Sequence, residues 1–225
     1  MHPNPAFRSQ SDPRNIAFAR ERGFGTLSIN ANPAPLLSHI PFVLADDGHQ
    51  AELHLVKSNP IARHVQAPTH AVIAVTGPDA YISPDWYGEP SQVPTWNYVA
   101  VHLRGILHPL DHGLMHDQLE RLSAEFEGRL LPKTPWTVGK TPEDVLSKLM
   151  RAIVPFRFEI TQIDSTWKLN QNKSDPARVG AATNVRSSPI GHETALLAAM
   201  MHRACPSESP FDPAAPPVDT PATDA

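Results

Sequence analysis

Cysteine is nearly absent. Cys205 stands alone in 225 residues, so no internal disulfide can form and nothing in the chain calls for an oxidising compartment. Long apolar runs are missing as well: the longest, ALLAAMM at 195–201, falls far short of the ~20 residues a helix needs to cross a bilayer. The N-terminal stretch MHPNPAFRSQSDPRN lacks the apolar centre of a secretory signal. Together these absences lead to the expectation of a cytoplasmic protein with no membrane partner. There is no excess of positive charge either. The formal net charge is −4, and Glu208, Asp212, Asp219 and Asp224 account for all of it, which leaves a neutral body without a broad field for phosphate backbones. Direct DNA binding gains no support from that balance. Glycine is sparse, and no G-x-G-x-x-G, Walker loop, G-x-S-x-G or paired-carboxylate pattern occurs.

What is there begins with aromatics in one place. They make up only 7% of the chain, yet DAYISPDWYGEPSQVPTWNYVAVHLRG, from Asp79 to Gly105, holds all three tyrosines and two of the four tryptophans. Tyr and Trp offer a flat apolar face with a polar tip, suited to stacking on a conjugated ring while bonding its rim. Asn97, between Trp96 and Tyr98, adds an amide that both donates and accepts. Packing in a core or at a subunit interface explains the same cluster. Single-stranded nucleic acid explains it less well, because no Lys or Arg interleaves with the rings before Arg104.

Periodicity predicts strands at 24–30, 35–45, 50–56, 70–77 and 97–110, the last with Gly105 as a candidate bulge, and a final strand at 155–169. A short helix is predicted after Asn59-Pro60, two surface helices within a helical insertion at about 111–152, the second capped by Thr141, and a Ser188-capped C-terminal helix over about 188–204. The sum is a mainly β (α+β) chain with about six strands, a small barrel decorated by helices. The body is expected to run over 1–205. The remaining 206–225, rich in Pro, Ala, Ser and Asp, has the composition of a disordered tail.

In HLVKSNPIAR a strand ends at Val56 and a helix starts near Asn59. Lys57, Ser58 and Asn59 beside helix-start N–H groups would suit a phosphate. The same residues equally describe an ordinary cap with a solvated lysine. WKLNQNKSD places Lys168, Asn170, Gln171, Asn172 and Lys173 after a strand, a run of donors aimed at a ring or simply solvated. His112 and His116 lie one turn apart near His108 and Asp111, but the metalloprotease glutamate is missing. No metal site is expected.

SHIPF, HLVKSNP, GPDAYISPDWY, VPTWNYVAVHLRG, IVPFRFEI and WKLNQN together resemble the PaiB family of bacterial FMN-binding negative transcriptional regulators, from about residue 16 to 204. The resemblance implies an FMN-binding, six-stranded antiparallel split β-barrel related to pyridoxamine-phosphate oxidases, a homodimer with flavin at the subunit interface. It further implies that His54, Lys57, Ser58 and Asn59 receive the FMN phosphate and that Ser38 and His39 run alongside the ring. Trp96, Asn97 and Tyr98 would flank that ring, while Lys168, Gln171 and Asn172 reach its polar rim. Two segments depart from the family pattern: Ile61-Ala62-Arg63 follows Asn59-Pro60 where the family often has an aromatic, and in KLNQNK Asn170 stands where Ser is usual and Lys173 where Arg is usual. Besides regulation, the resemblance leaves open a flavin reductase or oxidase and a non-catalytic flavin or heme module, in which His39 or His54 would ligate iron. No helix-turn-helix supports regulation, since LLPKTPWTVGK separates the two predicted surface helices.

Overall fold

The tripeptide Ser-Asp-Pro occurs at 11–13 and again at 174–176, and each occurrence starts a helix in the computed structural model, which describes residues 1–204. Proline in the first turn sacrifices no helical hydrogen bond, and the aspartate meets the partial positive charge there. Helix α1 (Asp12–Arg22) ends at Gly23, whose φ of 56° lies in the left-handed region. Neither this helix nor its counterpart after Ser174 was among the expected elements. The tail over 206–225 lies outside the described residues.

Strands β1 (Phe24–Ile29), β2 (Leu36–Pro41), β3 (Val43–Leu44) and β4 (Gln50–Val56) follow, then the one-turn helix α2 (Pro60–His64), β5 (Thr69–Ile82) and β6 (Thr95–Pro109). Helices α3 (Met115–Gly128) and α4 (Glu143–Met150) come next, before β7 (Ile153–Lys168), α5 (Asp175–Val185), β8 (Gly191–His192) and α6 (Thr194–Arg203). The apolar run 35–45 is two strands and not one, because Phe42 leaves the β2 ladder and donates its N–H to Gly23 at 2.9 Å. The C-terminal helix starts six residues later than Ser188. Ser188 closes a turn onto Val185, Gly191 and His192 pair with β5, and Glu193 turns the chain at φ 51°. Helix α4 likewise begins after Pro142, without the Thr141 cap.

The hydrogen-bonded order is β2-β1-β5-β6-β7-β4-β3, with β8 on β5, and the pairs β1–β2, β1–β5, β3–β4, β4–β7 and β5–β8 are antiparallel. Two compact units divide the chain, residues 1–77 with 99–167 and residues 78–98 with 168 onward. In the first, alternate residues of each strand turn inward: Leu27, Ile73, Leu53, Val101, Leu103, Phe156 and Phe158 are fully buried. Each such side chain contributes about 1.5–3 kcal/mol relative to exposure. Strand β2 packs against β4 although the two share no ladder, so the curled sheet is split at that seam. In the second unit α5 packs on α6. Buried Arg178 of α5 donates to the C-terminal carbonyls of Met201 at 2.5 Å and His202 at 3.0 Å, and to Asp175 at 2.7 Å. A guanidinium there satisfies helix-end acceptors that burial would otherwise strand.

Candidate functional site

The seam between β2 and β4 carries the residues expected to meet the phosphate. Asn59 caps α2 by accepting from Ile61 N–H at 2.8 Å, and its amide nitrogen donates to Ser38 Oγ on β2 at 2.9 Å. That bond clasps the split. The N–H groups of Lys57 and Asn59 are taken by Ala152 O and Val56 O, at 2.8 and 2.9 Å, and Pro60 has none. The helix-start N–H groups counted on for the anion are therefore largely occupied, and α2 is too short to add much of a dipole. The side chains remain: Lys57 and Ser58 are exposed, and no carboxylate pairs with the Lys57 ammonium among the described residues.

His39 is exposed on β2, its Nδ1 3.0 Å from Thr26 Oγ1 and its ring stacked 6.5 Å from Phe24. Thr26 escaped the sequence reading because only the β1–β2 register places it opposite His39. His54 faces elsewhere. Strand alternation puts it on the side of Glu52, which Arg121 of α3 grips through two 2.9 Å bonds, and away from buried Leu53 and Leu55. Its Nδ1 has no hydrogen-bond partner, and burial lowers its pKa below the ordinary imidazole value. His102 on β6 also has a buried, unpartnered Nδ1 and a pKa lowered first by burial.

A histidine held neutral in the fold must take up a proton on unfolding in acid, so the unfolded chain binds more protons as pH falls. The stability these two groups provide is fully present above the unfolded imidazole pKa and is lost as pH falls toward their lower folded values. Between pH 7.5 and 5 the unfolding temperature should accordingly drop by a few degrees. Imidazole resonances of His54 and His102 titrating at or above the ordinary value would remove that explanation.

In the second unit, the aromatic segment serves two purposes. Tyr87 is buried, its hydroxyl donating to Asn170 Oδ1 at 3.4 Å, and it packs as core. Trp96 stays 47% exposed and meets Tyr81 edge-on at 6.4 Å, which leaves an indole face available. Asn97 is fully buried, with its nitrogen on Met201 Sδ at 3.5 Å and its oxygen unpartnered. Tyr98 is half-buried beside it. Lys168 donates to Thr95 Oγ1, and burial, helped by Lys173, lowers its pKa. Thr95 went unnoticed although it adjoins Trp96. Gln171 accepts from Leu169 N–H at 2.8 Å and so shapes its own loop, whereas Asn172 is exposed. Asn170 has φ 63°, a left-handed conformation that asparagine tolerates far better than serine. The conformation suits the asparagine that stands here in place of the family's serine. Lys173 reaches Gln92 at 2.5 Å and lies 5.1 Å above the Tyr87 ring.

Among the histidines one turn apart, His112 is tied to Met150 O at 3.0 Å. His116 instead groups with Asp117 and Glu120, whose ligand atoms lie within 4.8 Å of one another on the exposed face of α3. No helix among the described residues is long and apolar enough to cross a membrane.

Residues 1–162 match the family model described as "Putative FMN-binding domain". The chain is also 30% identical over 160 residues to Protease synthase and sporulation protein PAI 2 of Bacillus subtilis, covering 70% of this chain and 76% of that protein. The chain belongs to the PaiB family of FMN-binding proteins. Two solved structures share its fold. An FAD and heme binding protein from Mycobacterium smegmatis superposes with a TM-score of 0.54 at 17% identity, over 72% of this chain and 73% of that one. The flavocytochrome Anf3 of Azotobacter vinelandii follows with 0.50 at 13%, over 70% and 68%. The split-barrel class is thereby shown, with six long strands and the two-residue β3 and β8 among the described residues. Flavin is the cofactor of the PaiB family, and the chemistry present fits it: an exposed ammonium without a carboxylate, beside a hydroxyl, suits a phosphate monoester.

Proposed function

We propose that this PaiB-type chain carries FMN with the phosphate against Lys57 and Ser58, next to the Asn59–Ser38 clasp, and that it acts as a homodimer. The observation that carries the reading is the uncompensated Lys57 ammonium at the split of a barrel whose family binds FMN. Exposed Leu37 on β2 and Phe24 on the adjoining β1 support a second copy covering this edge, since β2 ends the hydrogen-bonded order and large apolar side chains there call for a partner. His39 lies on the same edge strand, within reach of a ring placed along it. Trp96, Tyr98, Lys168, Gln171 and Asn172 of the second unit are kept from the family resemblance as further candidates for ring contact, whereas Asn97 is fully buried and presents no surface to a ring.

Bound flavin supplies hydride and electron transfer, while these residues bind and orient it. Regulation of transcription is proposed on the strength of the PaiB resemblance alone, and through a partner rather than a DNA-reading helix. Residues 129–142 separate α3 from α4, too long a connection for a helix-turn-helix.

Purified protein should show paired near-ultraviolet and blue absorption bands; a single intense Soret band would mean heme instead. Lys57→Ala should weaken FMN by roughly tenfold to a hundredfold, the scale of a lost charge-assisted contact to phosphate, while riboflavin, which lacks the phosphate, should bind both forms alike. An equal loss for both ligands would move the phosphate elsewhere.

A further inference from the structure

The connection after α3 holds an indole beside a bare stretch of helix. Glu127 accepts from the Lys133 ammonium and from the Trp136 backbone N–H, the latter at 2.7 Å, and Lys140 Nζ donates to Pro135 O at 2.8 Å. The Lys133 contact, then that backbone N–H, hold the Glu127 carboxyl below its ordinary pKa, so this tether persists at neutral pH. From α3 the space is lined by Glu120, Ser123, Ala124 and Gly128, so small residues make up most of that wall. A Cβ built on Gly128 meets nothing within 4 Å. Trp136 keeps 38% of its surface exposed, so it lines the space without filling it. The result is a mostly apolar cavity of about 310 Å³ bounded by Glu120, Ala124, Gly128, Pro135, Trp136 and Val138, within the size range of small-molecule sites.

Glu120 is the one carboxylate among the residues that line the cavity. No lysine or arginine pairs with it among the described residues, and His116 and Asp117 lie within 4.8 Å of it. Lys133 is paired with Glu127, and Lys140, which donates to Pro135 O, keeps its charge. A carboxylate at the rim of an indole-lined cavity attracts an ammonium both by charge and by the negative face of the ring. An apolar wall of small residues accepts a flat group.

We propose that this cavity is a second binding site, separate from the flavin residues, for small organic cations that join a planar aromatic ring to an ammonium. The ring lies between Trp136 and the Ala124–Gly128 face, and the ammonium meets Glu120.

Tryptamine is the probe, titrated into the full chain by calorimetry and by two-dimensional NMR of the Trp136 indole N–H. Binding is expected at a Kd of roughly 10–1000 μM, ordinary for a small ligand in such a space. Indole-3-acetate has the same ring and the opposite charge, and should bind at least about tenfold more weakly. Glu120→Gln should reduce tryptamine affinity by about tenfold. Gly128→Leu, which fills the open space with a better helix former, should abolish binding with flavin content and unfolding temperature preserved. Should that variant misfold, Ala124→Leu reads the same cavity. Failure of wild-type protein to bind tryptamine, equal affinity for indole-3-acetate, or undiminished binding in a folded cavity-filling variant would each overturn the assignment.

Discussion

Gly105→Ala should leave little folded protein. An ideal Cβ at this position of β6 would lie 1.8 Å from Glu159 O and 2.8 Å from its carbonyl carbon on β7, with Ile160 Cα at 3.2 Å. All three are backbone atoms, so no side chain can rotate away, and β7 would have to leave the sheet. The expected loss exceeds about 4 kcal/mol, a large share of the roughly 5–15 kcal/mol that holds a domain together. Soluble yield and urea unfolding measure it. Gly128→Ala is the matched control. With free space around it and a helical backbone, it should gain up to about 1 kcal/mol. A Gly105→Ala variant that unfolds at wild-type urea concentration would mean that β6 and β7 do not approach as described.

Trp167→Ala should be nearly as damaging, for a different reason. Trp167 is fully buried, meets Phe18 edge-on at 5.3 Å, and donates Nε1–H to Asn15 Oδ1 at 2.9 Å. The guanidinium of Arg14 sits 4.1 Å over its face. Removing the indole opens a large cavity, worth about 3–5 kcal/mol. It also takes away the ring that attracts Arg14, whose Nε and Nη2 already lack partners and whose pKa burial has lowered to about 10. Trp167→Phe separates these contributions. It keeps a ring under Arg14 but strands Asn15 Oδ1, and should cost about 1–3 kcal/mol. If Ala and Phe prove equally destabilising, the packing term is smaller than the contacts imply.

The long strands were readable because each buries one face, and a two-residue period shows directly in the order of apolar and polar residues. Helices α1 and α5 were missed on the same criterion. Their buried residues include Arg14, Asn15 and Arg178, so the inward face does not look apolar. Only the repeated Ser-Asp-Pro start would have revealed them. Gly105 was read as a bulge or a bend, but a second backbone lies against it, and sequence carries no sign of a neighbour fifty residues away. For the candidate site, Ser38 and Asn59 were both named from the PaiB resemblance, yet their mutual bond was invisible. It joins β2 to the cap of α2, two segments that share no ladder.

Asn59 as a cap, the lysine beside it and the PaiB kinship were all determined by the amino-acid order itself. They depend on local spacing and residue chemistry. The tertiary structure alone decided that His54 turns to the α3-covered face, that Tyr87 is core while Trp96 is exposed, and that Trp136 borders a cavity. Each is a question of which atoms lie across a gap in space, and chain order constrains such distances only through the packing of the whole fold.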